Sequence, residues 1–195
     1  VNIIGVKVLD MYGTGSTSSV VAGMDWVAKR AVAGKSVVNM SLGGSEKSKV
    51  VDDASARIFA KNIPLIVAAG NFGWMDACDI SPPTSSATFA VASSGERDEM
   101  SYFSSFGKCV EIFAPGENIT SSFIGSTTAS AVLSGTSMAA PHVAGAAALY
   151  LSATSLPTAK SVYDKLISTA TLGKIKGGEA GLRGTPNRLV FNGAV

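Results

Sequence analysis

The residues that could do chemistry are concentrated between Gly135 and Gly145, in the run Gly135-Thr136-Ser137-Met138-Ala139-Ala140-Pro141-His142-Val143-Ala144-Gly145. A turn of small residues delivers one serine, Ser137, and an apolar run from Val143 to Leu151 follows it. The pattern predicts a nucleophile at the mouth of a buried helix. A helix N-terminus carries unpaired N–H groups and a partial positive charge, which suits a site where an oxyanion forms. Pro141 is compatible with this, because in a first turn its absent N–H has no intrahelical partner to lose. The competing reading is a serine that only caps a core helix. A G-x-S-x-G elbow is excluded, because Ala139 stands where the second glycine belongs. The one histidine of the chain, His142, lies five residues past Ser137. That is about 140° further round a helix, so it should point away and cannot take the serine's proton.

The elements around this stretch alternate. Residues 3–9 read as a buried strand, and Met11–Ser19 as a loop of Gly, Ser and Thr. Val20–Ala33 has a helical apolar period, and Gly34 stops it. Val37–Leu42 reads as a strand ended by Gly43-Gly44, Val50–Lys61 as an amphipathic helix, and Pro64–Ala69 as another strand. Such βαβα units imply an α/β domain with a parallel sheet covered by helices. Ligands bind such sheets beyond the carboxyl ends of the strands. Ala68-Ala69-Gly70-Asn71 closes one of them, and on its own Asn71 reads as a turn residue. Asn71–Ser86 is irregular. Ala87–Ala92, Met100–Ser105 and Val110–Phe113 read as shorter strands, Ala114-Pro115-Gly116 as a turn, and Ser121–Ser134 as a polar loop. Thr158–Ser168 is a further amphipathic helix, and from Gly173 onward the chain reads as a Gly-rich surface segment. No repeat or linker divides residues 1–195, so a single domain is expected.

Size and composition exclude several classes. A chain of 195 residues suffices for one domain that buries about 70% of its unfolded surface. A net charge of +2 with no Lys/Arg cluster argues against nucleic acid, and no apolar run nears the roughly 20 residues of a membrane span. The chain opens directly in an apolar strand pattern, which suggests an N-terminally incomplete piece that would expose apolar surface when alone. Cys78 and Cys109 permit one disulfide or two buried thiols. Asn118-Ile119-Thr120 is an N-glycosylation pattern in a loop; Asn39-Met40-Ser41 fits too, but in an expected buried strand.

The Ser137 stretch closely resembles the serine motif of the subtilisin family of serine proteases, G-T-S-M-A-x-P-H-V-A-G, at all ten fixed positions. The likeness extends over essentially the whole chain and is strongest to the proteinase-K-like branch, above all its fungal vacuolar members, a group that includes allergens. Phe103–Gly116 and Thr185–Gly193 carry that part of it. The resemblance implies a subtilisin-like three-layer α/β fold whose N-terminal part is absent here. It implies that Ser137 is the nucleophile of a serine endopeptidase, and that Asn71 and the backbone N–H of Ser137 form the oxyanion hole. Ser41, Leu42, Gly43 and Gly44 match the family's S-L-G-G substrate edge and S1 wall. Gly13 and Gly15 match the opposite edge, and Ala68, Ala69 and Gly70 the segment before the oxyanion asparagine. Glycines suit edges where a peptide exchanges main-chain hydrogen bonds.

The resemblance also favours a Cys78–Cys109 bridge and hence a secreted or vacuolar setting. It implies a polypeptide substrate and no cofactor for the chemistry. Glu111 stands where proteinase K has a calcium-binding aspartate, and its extra methylene makes a structural calcium doubtful. Possible partners are the protein's own N-terminal segment or propeptide, and an antibody if it is an allergen. The family's D-[ST]-G and H-G-T-H motifs are absent from this sequence, and Asp10 falls after the position of the catalytic aspartate. The chain alone is therefore expected to be inactive. The alternatives are a pseudoenzyme acting through its surface and a two-chain enzyme whose second polypeptide carries Asp and His.

Overall fold

The protein was analysed as a computed structural model that describes residues 1–177 and 181–193. Among the described residues, α-helices run over Thr17–Arg30 (α1), Lys49–Ala60 (α2), Thr136–Ala153 (α3) and Ala159–Thr169 (α4). The strands are Val38–Met40 (β1), Leu65–Ala68 (β2), Phe89–Ser94 (β3), Val110–Pro115 (β4), Ile119–Ser122 (β5), Ser130–Leu133 (β6), Thr171–Leu172 (β7) and Arg188–Leu189 (β8). Six of them form one sheet in the order β1-β2-β3-β4-β8-β7, parallel except for the β7–β8 pair.

Side-chain alternation splits the sheet into two buried faces. Leu65 and Val67 join Met40 and Ala90 against α1 and α2, with Val20, Met24, Val51, Ala54 and Ile58. Ile66 and Ala68 join Phe89, Val91, Ile112 and Ala114 against α3 and α4. The result is the expected three-layer α/β arrangement. Local chemistry sets the helix ends: the Ser16 side chain accepts from the Ser19 N–H at 3.1 Å, and Thr158 with Ser161 forms a reciprocal capping box.

Tyr163 of α4 ties the layers together. Its hydroxyl accepts from the Leu65 N–H at 2.9 Å and lies 3.2 and 3.1 Å from the Leu65 and Ala87 carbonyls. Burial pushes its ionisation well above the usual tyrosine range. Replacing Tyr163 by Phe strands a buried N–H and should lower the unfolding free energy by about 1–3 kcal/mol in urea titration.

Several expectations need correction. Residues 3–9 are not a sheet strand: they run outside the sheet, with Ile3 94% exposed, because no described strand pairs with them. Val8 packs against the α1–α2 core, and Val6 and Val8 lie over Gly23 of α1. Met100–Ser105 is a turn segment that touches the end of β3 only through an isolated Met100–Ser94 bridge and serine bonds, not as a continuous strand; Ser104 Oγ accepts from the Ser93 N–H at 3.1 Å. The expected 121–134 loop is largely the antiparallel β5–β6 hairpin, which exposure had left without an apolar alternation. The expected turn at 114–116 is later than drawn, since β4 continues through Pro115. The segment after Gly173 returns to the sheet as β8 and buries Ile175 and Thr185; of it, residues 178–180 and 194–195 lie outside the described residues. Asn39 is exposed on the short strand β1, as Asn118 is ahead of β5. The apolar residues Val1, Ile3, Ile4, Met11 and Leu149 are exposed; Leu149 shows that α3 is covered on one side only.

Candidate active site

The carboxyl ends of β1 and β2 and the N-terminus of α3 meet at one place. Gly135 precedes α3 and donates its N–H to the Gly116 carbonyl at 2.8 Å. This contact holds the turn that presents Ser137. Ser137 Oγ donates to the Ser41 carbonyl at 3.1 Å, and Ser41 Oγ donates to the Ser137 carbonyl at 2.8 Å. The serine is thus locked against the segment that leaves β1.

Asn71, exposed at the end of β2, is oriented from the same turn. Its Oδ1 accepts from the Thr136 N–H and from Thr136 Oγ1, both at 2.8 Å. With Oδ1 doubly engaged, the NH₂ group is the end left to face a ligand; among the described residues Nδ2 meets no acceptor at hydrogen-bond distance. Thr136 is fully buried, and its Oγ1 also accepts from the Gly70 N–H at 3.2 Å. Gly70 has φ +108°, and a Cβ there would press on Ile80 and Ser105, so this turn requires glycine. Thr136 was not singled out from the sequence. Its place beside Ser137 was the available signal, but the partner it holds is 65 residues away.

The S-L-G-G segment packs on the turn at Ser81: the Gly44 N–H donates to the Ser81 carbonyl at 3.1 Å, and a Cβ on Gly43 would stand 3.0 Å from that oxygen. Ala68, Ala69 and Gly70 lead directly into Asn71. Gly13 and Gly15 lie in the loop before α1, and among the described residues no hydrogen bond joins that loop to the Ser137 cluster. Asp10 serves the loop itself: its Oδ1 accepts from the Tyr12 and Thr14 N–H groups. The Thr14 and then the Tyr12 bond hold its carboxyl below the usual range. His142 is exposed and its Nδ1 lies 2.8 Å from the Met138 carbonyl, so it contacts its own helix and not Ser137.

Cys78 and Cys109 are joined in a disulfide with Cα atoms 5.2 Å apart. It links the segment after Asn71 to the start of β4. Replacing both cysteines by Ala should lower the unfolding free energy by about 3 kcal/mol, read from denaturant midpoints.

Residues 1–190 match the family model described as the subtilase family. The chain belongs to the subtilase family. It is 41% identical over 192 residues to a cuticle-degrading serine protease of Arthrobotrys oligospora, covering 98% of this chain and 46% of that protein. It is 44% identical over 186 residues to an extracellular serine proteinase of a Thermus species, covering 95% and 44%. It is 41% identical over 196 residues to the subtilisin-like serine protease Pen ch 13 of Penicillium rubens, covering 98% and 47%. The chain thus spans less than half the length of these relatives. A crystal structure of a cold-adapted subtilisin-like serine proteinase superposes with a TM-score of 0.91 at 41% identity, over 98% of this chain and 67% of that one. The subtilisin-like, proteinase-K-like α/β fold inferred from the motifs is therefore the fold of this subtilase chain.

Proposed function

We propose that this chain is the serine-bearing part of a subtilisin-type serine endopeptidase that hydrolyses peptide bonds in polypeptides. The observation that carries the proposal is the Ser41–Ser137–Thr136–Asn71 cluster at the N-terminus of α3. In this reading Ser137 Oγ attacks the scissile carbonyl carbon. Its proton passes to a histidine on a polypeptide segment upstream of this chain, which returns it to the departing amine. Water then releases the acyl group by the same route. The Ser137 N–H and Asn71 Nδ2 hold the oxyanion. Ser41–Gly44 and the Gly13–Gly15 loop receive the substrate backbone on opposite sides, and Ala68–Gly70 lines the pocket between them.

No metal takes part in these steps. Glu111, where the family resemblance would put a calcium ligand, lies 3.5 Å from Arg188 Nη1. Burial raises its carboxyl's pKa, and Arg188 partly opposes the rise. A cation there would have to displace a guanidinium, so we read the position as an ion pair. The disulfide favours an oxidising setting, secreted or vacuolar, and the name of the Thermus relative agrees with the former. Among the described residues no helix is long and apolar enough to cross a membrane.

A second reading, a catalytically silent chain that acts through its surface, such as an antibody-binding allergen, is favoured by one observation. The Ser137 proton is directed at a carbonyl, and the chain has no second histidine to accept it. Fluorophosphonate labelling with and without an upstream polypeptide that carries Asp and His separates the two. A Ser137 adduct that needs the second polypeptide supports the peptidase; no adduct in either sample supports the silent chain.

A further inference from the structure

The chain holds two N-x-[ST] patterns, Asn39-Met40-Ser41 and Asn118-Ile119-Thr120. Both asparagines are exposed, so exposure does not tell them apart. Their hydrogen bonds do. An oligosaccharide is bulky and joins asparagine at the side-chain nitrogen, so that nitrogen needs open space around it. At Asn39 the side chain is engaged. Its Nδ2 donates to Ser41 Oγ at 3.0 Å, and Ser41 Oγ donates to the Ser137 carbonyl at 2.8 Å. The nitrogen and the hydroxyl of this pattern therefore belong to one chain of bonds that ends on Ser137. The Ser41 carbonyl is tied to the same residue, accepting from Ser137 Oγ at 3.1 Å, and Met40 between them is buried. A sugar on Asn39 would have to stand against this cluster.

At Asn118 the main chain carries the structure and the side chain is spare. The Asn118 N–H donates to Ser134 Oγ at 2.9 Å, and two residues earlier the Gly116 carbonyl accepts from the Gly135 N–H at 2.8 Å. These bonds fasten the turn before β5 to the turn before α3, and neither uses the Asn118 amide. Among the described residues that amide has no hydrogen-bond partner, and neither has the Thr120 hydroxyl. The Asn118 backbone lies in the left-handed region at φ +53°, which asparagine tolerates, and it turns the chain after β4 ends at Pro115. Thr120 stands on β5 opposite Val132, and both are exposed. Among the described residues β5 pairs with β6 alone, so no third strand covers the pattern.

We propose that Asn118 is the acceptor for an N-linked oligosaccharide and that Asn39 stays bare in the folded chain. In the transfer, Asn118 Nδ2 attacks the anomeric carbon of a lipid-diphosphate-linked oligosaccharide. The C–N bond forms, the C–O bond to the diphosphate breaks, Nδ2 gives up one proton, and the lipid diphosphate leaves. The Cys78–Cys109 bridge fits the oxidising compartment in which such donors are used. The assignment stands without the peptidase reading. Its test translates the 195-residue chain behind a cleavable secretory leader in the presence of endoplasmic-reticulum microsomes. Chains whose disulfide has formed are isolated on a gel without reductant, which keeps the reading to folded material. They should run one sugar step above chains made without microsomes, and a peptide N-glycosidase should remove the step. In heavy-oxygen water that enzyme should leave a labelled carboxylate at position 118 and none at position 39, read by peptide mass spectrometry. Asn118→Gln and Thr120→Ala should each abolish the step, Thr120→Ser should keep it, and Asn39→Gln should leave it unchanged. The two threonine substitutions leave the Asn118 turn in place, so they separate a lost acceptor from a lost fold. No step on the bridged chain, or a step that survives Asn118→Gln, would overturn the proposal. So would a labelled carboxylate at position 39.

Discussion

Incubated alone with a fluorophosphonate, the chain should acquire no adduct at Ser137; mixed with an upstream polypeptide carrying the subtilase Asp and His, it should acquire one within minutes. Peptide mass spectrometry reads both outcomes. The first half follows from where the serine's proton points. Ser137 Oγ donates to the Ser41 carbonyl, and a peptide carbonyl is far too weak a base to take that proton during attack. The one histidine cannot substitute, because His142 is engaged with the Met138 carbonyl on the exposed side of α3. In subtilisin, removing the histidine costs about as much as removing the whole triad, near a millionfold in kcat. The same loss here would put residual turnover below detection, while leaving the Ser137 N–H and Asn71 Nδ2 in place. Rapid labelling of the chain alone would sink this account, since it would require another base at the site. Ser137→Ala must abolish any adduct, which guards against labelling elsewhere.

Restoration by the second polypeptide depends on a surface ready to receive it. Ile3 and Ile4 lie exposed in an extended segment without a strand partner, and Leu149 marks an uncovered side of α3. These features also show what a sequence can and cannot yield. The helices and the parallel strands β1–β4 were legible because their burial is written in local periodicity: Leu65 and Val67 face one layer, Ile66 and Ala68 the other. Residues 3–9 have the same apolar pattern, but a strand also needs a neighbour, and pairing is not a local property. The β5–β6 hairpin was missed for the opposite reason. Its Ser- and Thr-rich strands are largely exposed, so no alternation betrays them. Ser137 and Asn71 became candidate site residues only through a motif resemblance. The reciprocal Ser41–Ser137 bonds and the grip of Thr136 on Asn71 join residues 65 to 96 positions apart.

That grip carries the second large expected effect. In the reconstituted two-polypeptide enzyme, Asn71→Ala should lower kcat about 100- to 1,000-fold with KM little changed; the size is that measured for the oxyanion asparagine of subtilisin. The donor acts where charge develops, so its loss is felt in the transition state more than in the bound substrate. Thr136→Val tests the cause of the orientation. It removes the hydroxyl donor to Oδ1 but keeps the Thr136 N–H bond and the side chain's volume. The amide would then be held by one bond instead of two, and kcat should fall about fivefold, since a lost neutral hydrogen bond is worth about 1 kcal/mol. Thr136→Ser restores the hydroxyl and should recover most of the rate. Valine also leaves the Gly70 N–H without its acceptor, so a drop in melting temperature should accompany the kinetic loss. Equal kcat in the Thr and Val enzymes would mean that the backbone bond alone orients Asn71. A rise in KM at constant kcat, for either Asn71→Ala or Thr136→Val, would place Asn71 in substrate binding rather than in the oxyanion hole.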